Sequence, residues 1–234
     1  MINVMEEKTN SGNDRRPKKN YKTNEQVLFD SETIFINLKS HPLIKATLAE
    51  YGYTDEKVAE GETIYLFARN TYNGLRKEEA EKTVARKNLN RKAEEFSTVY
   101  NRQRKSAKII FRRDPMVIKQ LAIEGELPGT LSSRLEEARN YYRVIKADTS
   151  LAEKLLPMKI TPEEIVRGET LASDTEKARA TYLVEKGEKE DATAQKNAAF
   201  RNNDYWISEL KAVASIAFED NPQLLEALTK RVKS

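Results

Sequence analysis

Apolar residues in this chain recur at helical spacing and rarely alternate as a strand requires. Leu28, Ile34, Phe35 and Leu38 mark a first helix over about 24–39, and Leu135, Tyr141, Tyr142 and Ile145 mark another over about 131–147. A short helix follows each, at about 42–51 and 149–156, with His41-Pro42 and Asp148-Thr149 at its N-terminal edge, where a capping side chain and a proline are favoured. Thr54 and Thr161 then stand as N-caps, and Thr161-Pro162-Glu163-Glu164 reads as a capping box with acidic residues against the helix dipole. Val58, Gly61, Tyr65, Ala68, Tyr72 and Leu75 follow at alternating three- and four-residue steps, the seam of a helix lying on another helix.

Polar stretches come next, Arg76–Thr83 and Glu185–Asp191. They read as the turns of helical hairpins, with Gly187 turning the second and Asn73-Gly74 a candidate for the first. A return helix carries Phe96, Val99, Tyr100, Ala107, Ile110 and Phe111, and its counterpart carries Phe200, Trp206, Ile207, Leu210, Ala214 and Phe218. Asp114-Pro115 and Asn221-Pro222 each end that helix and begin a final short one.

These parallels have a constant offset. Shifting the chain by 107 positions without gaps lays Thr54–Thr63 on Thr161–Thr170, Asp114-Pro115 on Asn221-Pro222, and makes 19 of 107 aligned pairs identical. The expected fold is therefore all-α: two tandem repeats of an antiparallel, roughly four-helix bundle related by internal duplication. The boundaries drawn are a flexible tail over 1–20, one repeat over 21–127 and a second over 128–234, with the junction near Glu126-Leu127-Pro128-Gly129.

Composition narrows the chemistry. The 234 residues include no Cys, one His and eight Gly, which removes disulfide frameworks, thiol nucleophiles, Cys-type metal sites and His-rich metal cages. No P-loop, Rossmann, nucleophile-elbow or kinase pattern is present. The N-terminus lacks the apolar run of a signal peptide and no stretch approaches the roughly 20 apolar residues of a membrane span, so a cytoplasmic protein without a membrane partner is expected.

Four groups of residues are candidates for function. His41, the one imidazole, would have to serve any His-based catalysis, but its match at +107 is Asp148, so a structural role at a helix edge accounts for both. Glu62 and Glu169 lie in a repeated Gly-Glu-Thr. The neighbouring glycines, Gly61 and Gly168, cost about 1 kcal/mol each inside a helix, which implies a close crossing there. The two carboxylates are then candidates for a ligand or metal site, as acid/base groups or metal ligands, or, more simply, structural caps or ion pairs. Tyr65, Phe67, Tyr72, Phe96, Tyr100 and Trp206 sit at core spacing.

The fourth group is a basic run, Arg102, Arg104, Lys105, Lys108, Arg112 and Arg113, with no acid between Asn101 and Arg113. At 100° per residue it forms one broad face with Arg104 at its margin. The matching stretch 208–220 has one cation, Lys211, and three acids, Glu209, Glu219 and Asp220. Such a face suits an acidic protein or nucleic-acid phosphates. The reading is a non-enzymatic interaction or scaffold protein with no cofactor, metal or catalytic residue assigned. The partner is a protein, with nucleic acid as the alternative, and homo-oligomerisation is left open.

Overall fold

The computed structural model describes residues 22–230. Among them are eight α-helices, one 3-10 turn and no strand: α1 Asn24–Ser40, α2 Pro42–Glu50, α3 Asp55–Ile110, α4 Pro115–Gln120, α5 Leu131–Ala147, α6 Thr149–Leu155 with the turn Leu156–Met158 after it, α7 Pro162–Ala217 and α8 Pro222–Thr229. The all-helical expectation holds. The tail drawn over 1–20 lies outside the described residues. Each helix of the second half starts 107 residues after its counterpart, as Asn24 and Leu131, Pro42 and Thr149, Asp55 and Pro162, and Pro115 and Pro222 show. No described helix is long and apolar enough to cross a membrane.

The helix starts follow from local chemistry. Thr23 caps α1 in a full capping box with Gln26, Thr130 caps α5, and Asp148 caps α6 through the Ser150 amide at 3.0 Å. Thr54 and Thr161 face the first turns of α3 and α7, where Glu56 and Glu163 bond back to them. Those bonds hold both carboxyls below the usual glutamate range. The acid that turns back is thus Glu163, not Glu164, whose carboxylate is drawn to Arg102 and Arg167 instead. His41 makes no side-chain cap, and its Nδ1 is buried without a partner.

The hairpin turns expected at Arg76–Thr83 and Glu185–Asp191 do not form. Each lies inside an unbroken helix of 56 residues. The reason is compositional: both stretches are rich in Lys and Glu, good helix formers, and one-turn ion pairs such as Lys77–Glu81 and Lys186–Glu190 support them, which outweighs Gly187 in the second. Polarity there marks a solvated helix surface.

Backbone packing divides the chain into two compact units: residues up to Leu66 with those from Asn202 on, and Phe67–Arg201. Each takes elements from both halves of the sequence. In the first unit α1, α2 and the start of α3 are closed by the end of α7 and by α8. Ile34, Phe35, Leu38, Ile44 and Leu48 are buried with Tyr65, Trp206, Leu210, Phe218 and Leu228. Phe35 stacks on Trp206 at 5.1 Å between centroids and Tyr53 meets the same indole edge-on, its hydroxyl pushed up to about 12 by burial and then by the Glu209 charge. Asn203 donates to Ser31 at 2.9 Å, and Asn37 donates to the carbonyls of Ala227, Leu228 and Lys230, tying off α8.

In the second unit α5, α6 and the start of α7 pack on the end of α3 and on α4. The core gathers Phe96, Tyr100, Phe111 and Leu121 with Leu135, Tyr141, Tyr142, Ile145, Leu155 and Ile165. Away from this core the two long helices run antiparallel along a narrow seam. Lys92 pairs with Asp174 at 2.8 Å, Thr175 donates to the Lys92 carbonyl, and Tyr72 meets Phe200 edge-on.

The glycine notches are where the sequence placed them. A Cβ on Gly61 would overlap the Trp206 ring, and one on Gly168 would overlap the Tyr142 hydroxyl and crowd Gln103. Different aromatics fill the two notches, one from α7 and one from α5. Overpacking costs about 1–3 kcal/mol, more than the ~1 kcal/mol of helix propensity that alanine would return. Gly61→Ala and Gly168→Ala should therefore each lower unfolding stability by chemical denaturation, although alanine is the better helix former. Ala80→Pro, at an exposed site in the middle of α3, should cost about 3 kcal/mol or more; a hairpin turn there would tolerate it.

Candidate functional site

The end of α3 in the second unit holds the basic run, and folding sorts its six cations into different environments. Arg104 leaves the face altogether. Its side chain is 7% exposed and its Nε donates to Glu137 of α5 at 2.7 Å, while Tyr100 donates to the same carboxylate. Nη2 of Arg104 faces the carbonyl oxygens of Ile123, Glu124, Gly125 and Glu126 at 3.0–3.4 Å. Arg104 therefore fastens the connector between α4 and α5, and as a binding-surface residue it is corrected to an internal one. Its geometry accounts for this: the buried carboxylate and the four carbonyls together satisfy a guanidinium that burial alone would expel.

Arg102 stays exposed and pairs with Glu164 at 3.0 Å. Lys108 is half-buried and donates to the Gly125 carbonyl. Lys105, Arg112 and Arg113 are exposed. Between them runs a groove of about 440 Å³ lined by Asn101, Lys105, Lys108, Ile109, Arg112 and Leu127, with Arg104 beneath. Ile109 is 48% exposed at its floor, and the Asn101 Oδ1 is buried there without a partner. The connector that Arg104 holds supplies Leu127, so the buried ion pair shapes one wall of the groove. The unit itself is basic: residues 67–201 carry 28 Lys and Arg against 21 Asp and Glu.

Glu62 and Glu169 fall in different units. Glu62 accepts from Lys39 of α1 at 2.6 Å, and Glu169 from Lys146 of α5 at 2.7 Å. The two lysines are themselves 107 residues apart, so the repeated carboxylate belongs to a repeated ion pair. Of the aromatics, Tyr65, Phe96, Tyr100 and Trp206 are buried, whereas Phe67 is 57% exposed and is no core residue. Burial drives the Tyr100, Tyr141 and Tyr142 hydroxyls above their ordinary range, with Glu137 adding to it at Tyr100. They are donors at neutral pH: Tyr142 to the Gln103 side chain, which in turn donates to the Glu164 carbonyl.

A comparison with protein-family models, curated proteins and solved structures finds no match. The arrangement must be interpreted from its own chemistry. It offers exposed cations around the apolar side chains of Ile109 and Leu127.

Sequence reasoning missed one cluster. In the middle of the second unit Glu78 faces Glu185 and Glu188, with one carboxylate oxygen of each within 4.8 Å of the others, and Glu81 nearby. These three could reach a common cation, but Lys77 stands beside them, 3.9 Å from Glu78 and 3.5 Å from Glu81, as a built-in counter-charge. Glu78 and Glu81 match Glu185 and Glu188 at +107, a signal present in the sequence and hidden by treating both stretches as turns.

Glu185 is half-buried with an unpartnered Oε2, and burial first, then the Glu188, Glu81 and Glu78 charges, raises its pKa. A raised carboxyl favours the folded state while protonated, and that contribution is lost as pH rises through the folded-state value. Glu185→Gln should accordingly raise the melting temperature at pH 7. The gain should disappear below about pH 4, where the wild-type carboxyl is protonated in both states; a constant offset across pH would contradict the assignment.

Proposed function

We propose that this chain is a non-enzymatic interaction protein, built from two fused copies of one helical unit, that holds an acidic partner on the basic face at the end of α3. The groove between Lys105, Lys108 and Arg112, floored by Ile109 and walled by Leu127, carries the reading. The rim gives favourable long-range attraction and the floor gives an apolar side chain somewhere to bury. That combination favours an acidic polypeptide with an aliphatic anchor over nucleic acid, whose bases favour aromatic side chains to stack on, and this lining holds none.

Duplication is supported by what recurs at +107: the helix starts, the Lys39–Glu62 and Lys146–Glu169 pairs, the Thr54–Glu56 and Thr161–Glu163 caps, and the notched glycines. All of these pack or cap. Nothing that recurs in them is reactive, which supports an interaction protein and leaves Glu62 and Glu169 as structural ion pairs. A ligand site at those carboxylates would first have to displace each lysine.

The test is fluorescence anisotropy with a labelled Glu-rich peptide carrying Leu or Phe, beside a single-stranded oligonucleotide of equal charge. The peptide should bind at low salt, weaken steeply as salt rises, and weaken about tenfold or more in Lys105→Glu/Arg112→Glu. Tighter binding of the oligonucleotide would transfer the face to nucleic acid, and binding of neither would remove this function from it.

A further inference from the structure

The turns that follow the two long helices share one backbone frame and carry opposite charge. After α3, the Phe111 amide bonds the Ala107 carbonyl at 2.9 Å and the Asp114 amide bonds the Phe111 carbonyl at 2.8 Å. After α7, Phe218 bonds Ala214 at 3.0 Å and Asn221 bonds Phe218 at 2.9 Å in the same pattern. On the first frame Arg112 and Arg113 stand exposed beside Ile109, which is 48% exposed. On the second, at the matching positions, Glu219 and Asp220 stand exposed beside Ile216, which is 64% exposed. Glu209, exposed, occupies the place of Arg102.

The contrast extends to the units that bear these turns. Residues 67–201 have a net charge of +7, from 28 cations and 21 anions. Residues 1–66 with 202–234 have a net charge of −3, from 13 cations and 16 anions.

We propose that the basic turn of one chain, at Ile109, Arg112 and Arg113, docks on the acidic turn of a second copy, at Ile216, Glu219 and Asp220. This rests on the interaction reading above and names the partner as another copy of this chain. The shared frame gives the two faces matching relief, with an exposed isoleucine at the same place on each. Opposite charge makes basic–acidic contacts attractive, while basic–basic and acidic–acidic contacts repel. The contact is therefore heterologous. Each chain carries one face of each kind, so association continues head to tail until a ring closes or a filament grows.

The experiment is sedimentation velocity on the full chain across protein and salt concentration. At about 50 mM salt the mean mass should rise steadily with concentration, and at about 0.5 M salt the chain should be monomeric. Arg112→Glu/Arg113→Glu and Glu219→Arg/Asp220→Arg should each weaken self-association about tenfold or more. Mixing the two variants should restore growth as an alternating assembly, because one then carries two acidic faces and the other two basic ones. All four substitutions in one chain should restore growth, which also shows that the variants fold.

A wild-type chain that is monomeric at low salt, self-association indifferent to these substitutions, or a mixture that stays monomeric would each overturn the proposal. If wild type binds the acidic peptide yet stays monomeric at low salt, self-docking fails and the acidic-partner reading stands. If wild type grows as described but binds no peptide, the groove takes only its own copy.

Discussion

Neither long helix turns back in its polar middle, and everything else in the structure follows from that. Had α3 folded on itself, each half of the chain would have closed its own bundle. Because α3 and α7 run straight through, α1 and α2 are closed by the end of α7, and α5 and α6 by the end of α3. The straight path is favoured residue by residue. A stretch dominated by Lys and Glu keeps a hydrogen bond for each added residue, while a turn would give several up, and Gly187 in the second stretch stays helical. Among the described glycines only Gly52 and Gly125 have positive φ, and both lie outside these stretches.

The buried polar groups show how each unit is fixed in register. Asn37 ties off α8 in the first unit, and Arg104 with Glu137 ties down the connector after α4 in the second. Their counterparts at +107, Val144 and Lys211, do neither job. The two units thus solve the same problem, an unpaired row of carbonyls after a short helix, with different residues on different helices. Arg104 couples fold to surface: the connector it anchors supplies Leu127 to the basic groove, while Lys105 and Arg112 on the same helix form the rim.

Much of this was legible in the amino-acid order, and what was hidden has a physical cause. Helix starts were readable because Thr54, Thr161 and the Asp/Asn-Pro pairs act locally. The notches were readable because a glycine at the same place in two long helices is unfavourable without a neighbour to accommodate. The exchange of closing helices was not readable: two stretches with matching apolar faces satisfy similar contacts whether each closes itself or the other. Polarity misled at Arg76–Thr83, since a solvated helix and a turn share composition. Arg104 looked like a surface cation because its carboxylate, Glu137, lies on an element 33 residues away.

The second unit occupies a continuous stretch, Phe67–Arg201, and the first is split around it. As the chain emerges during synthesis, the second unit has all its residues before the first has its own. Asn203 and Trp206, on which the first unit's interior closes, arrive more than a hundred residues after Ser31 and Phe35. Joining such ends across a disordered loop carries an entropy cost that grows with the logarithm of its length. A compact intervening unit removes most of that loop beforehand. The order of synthesis therefore matches the order in which the parts become able to fold.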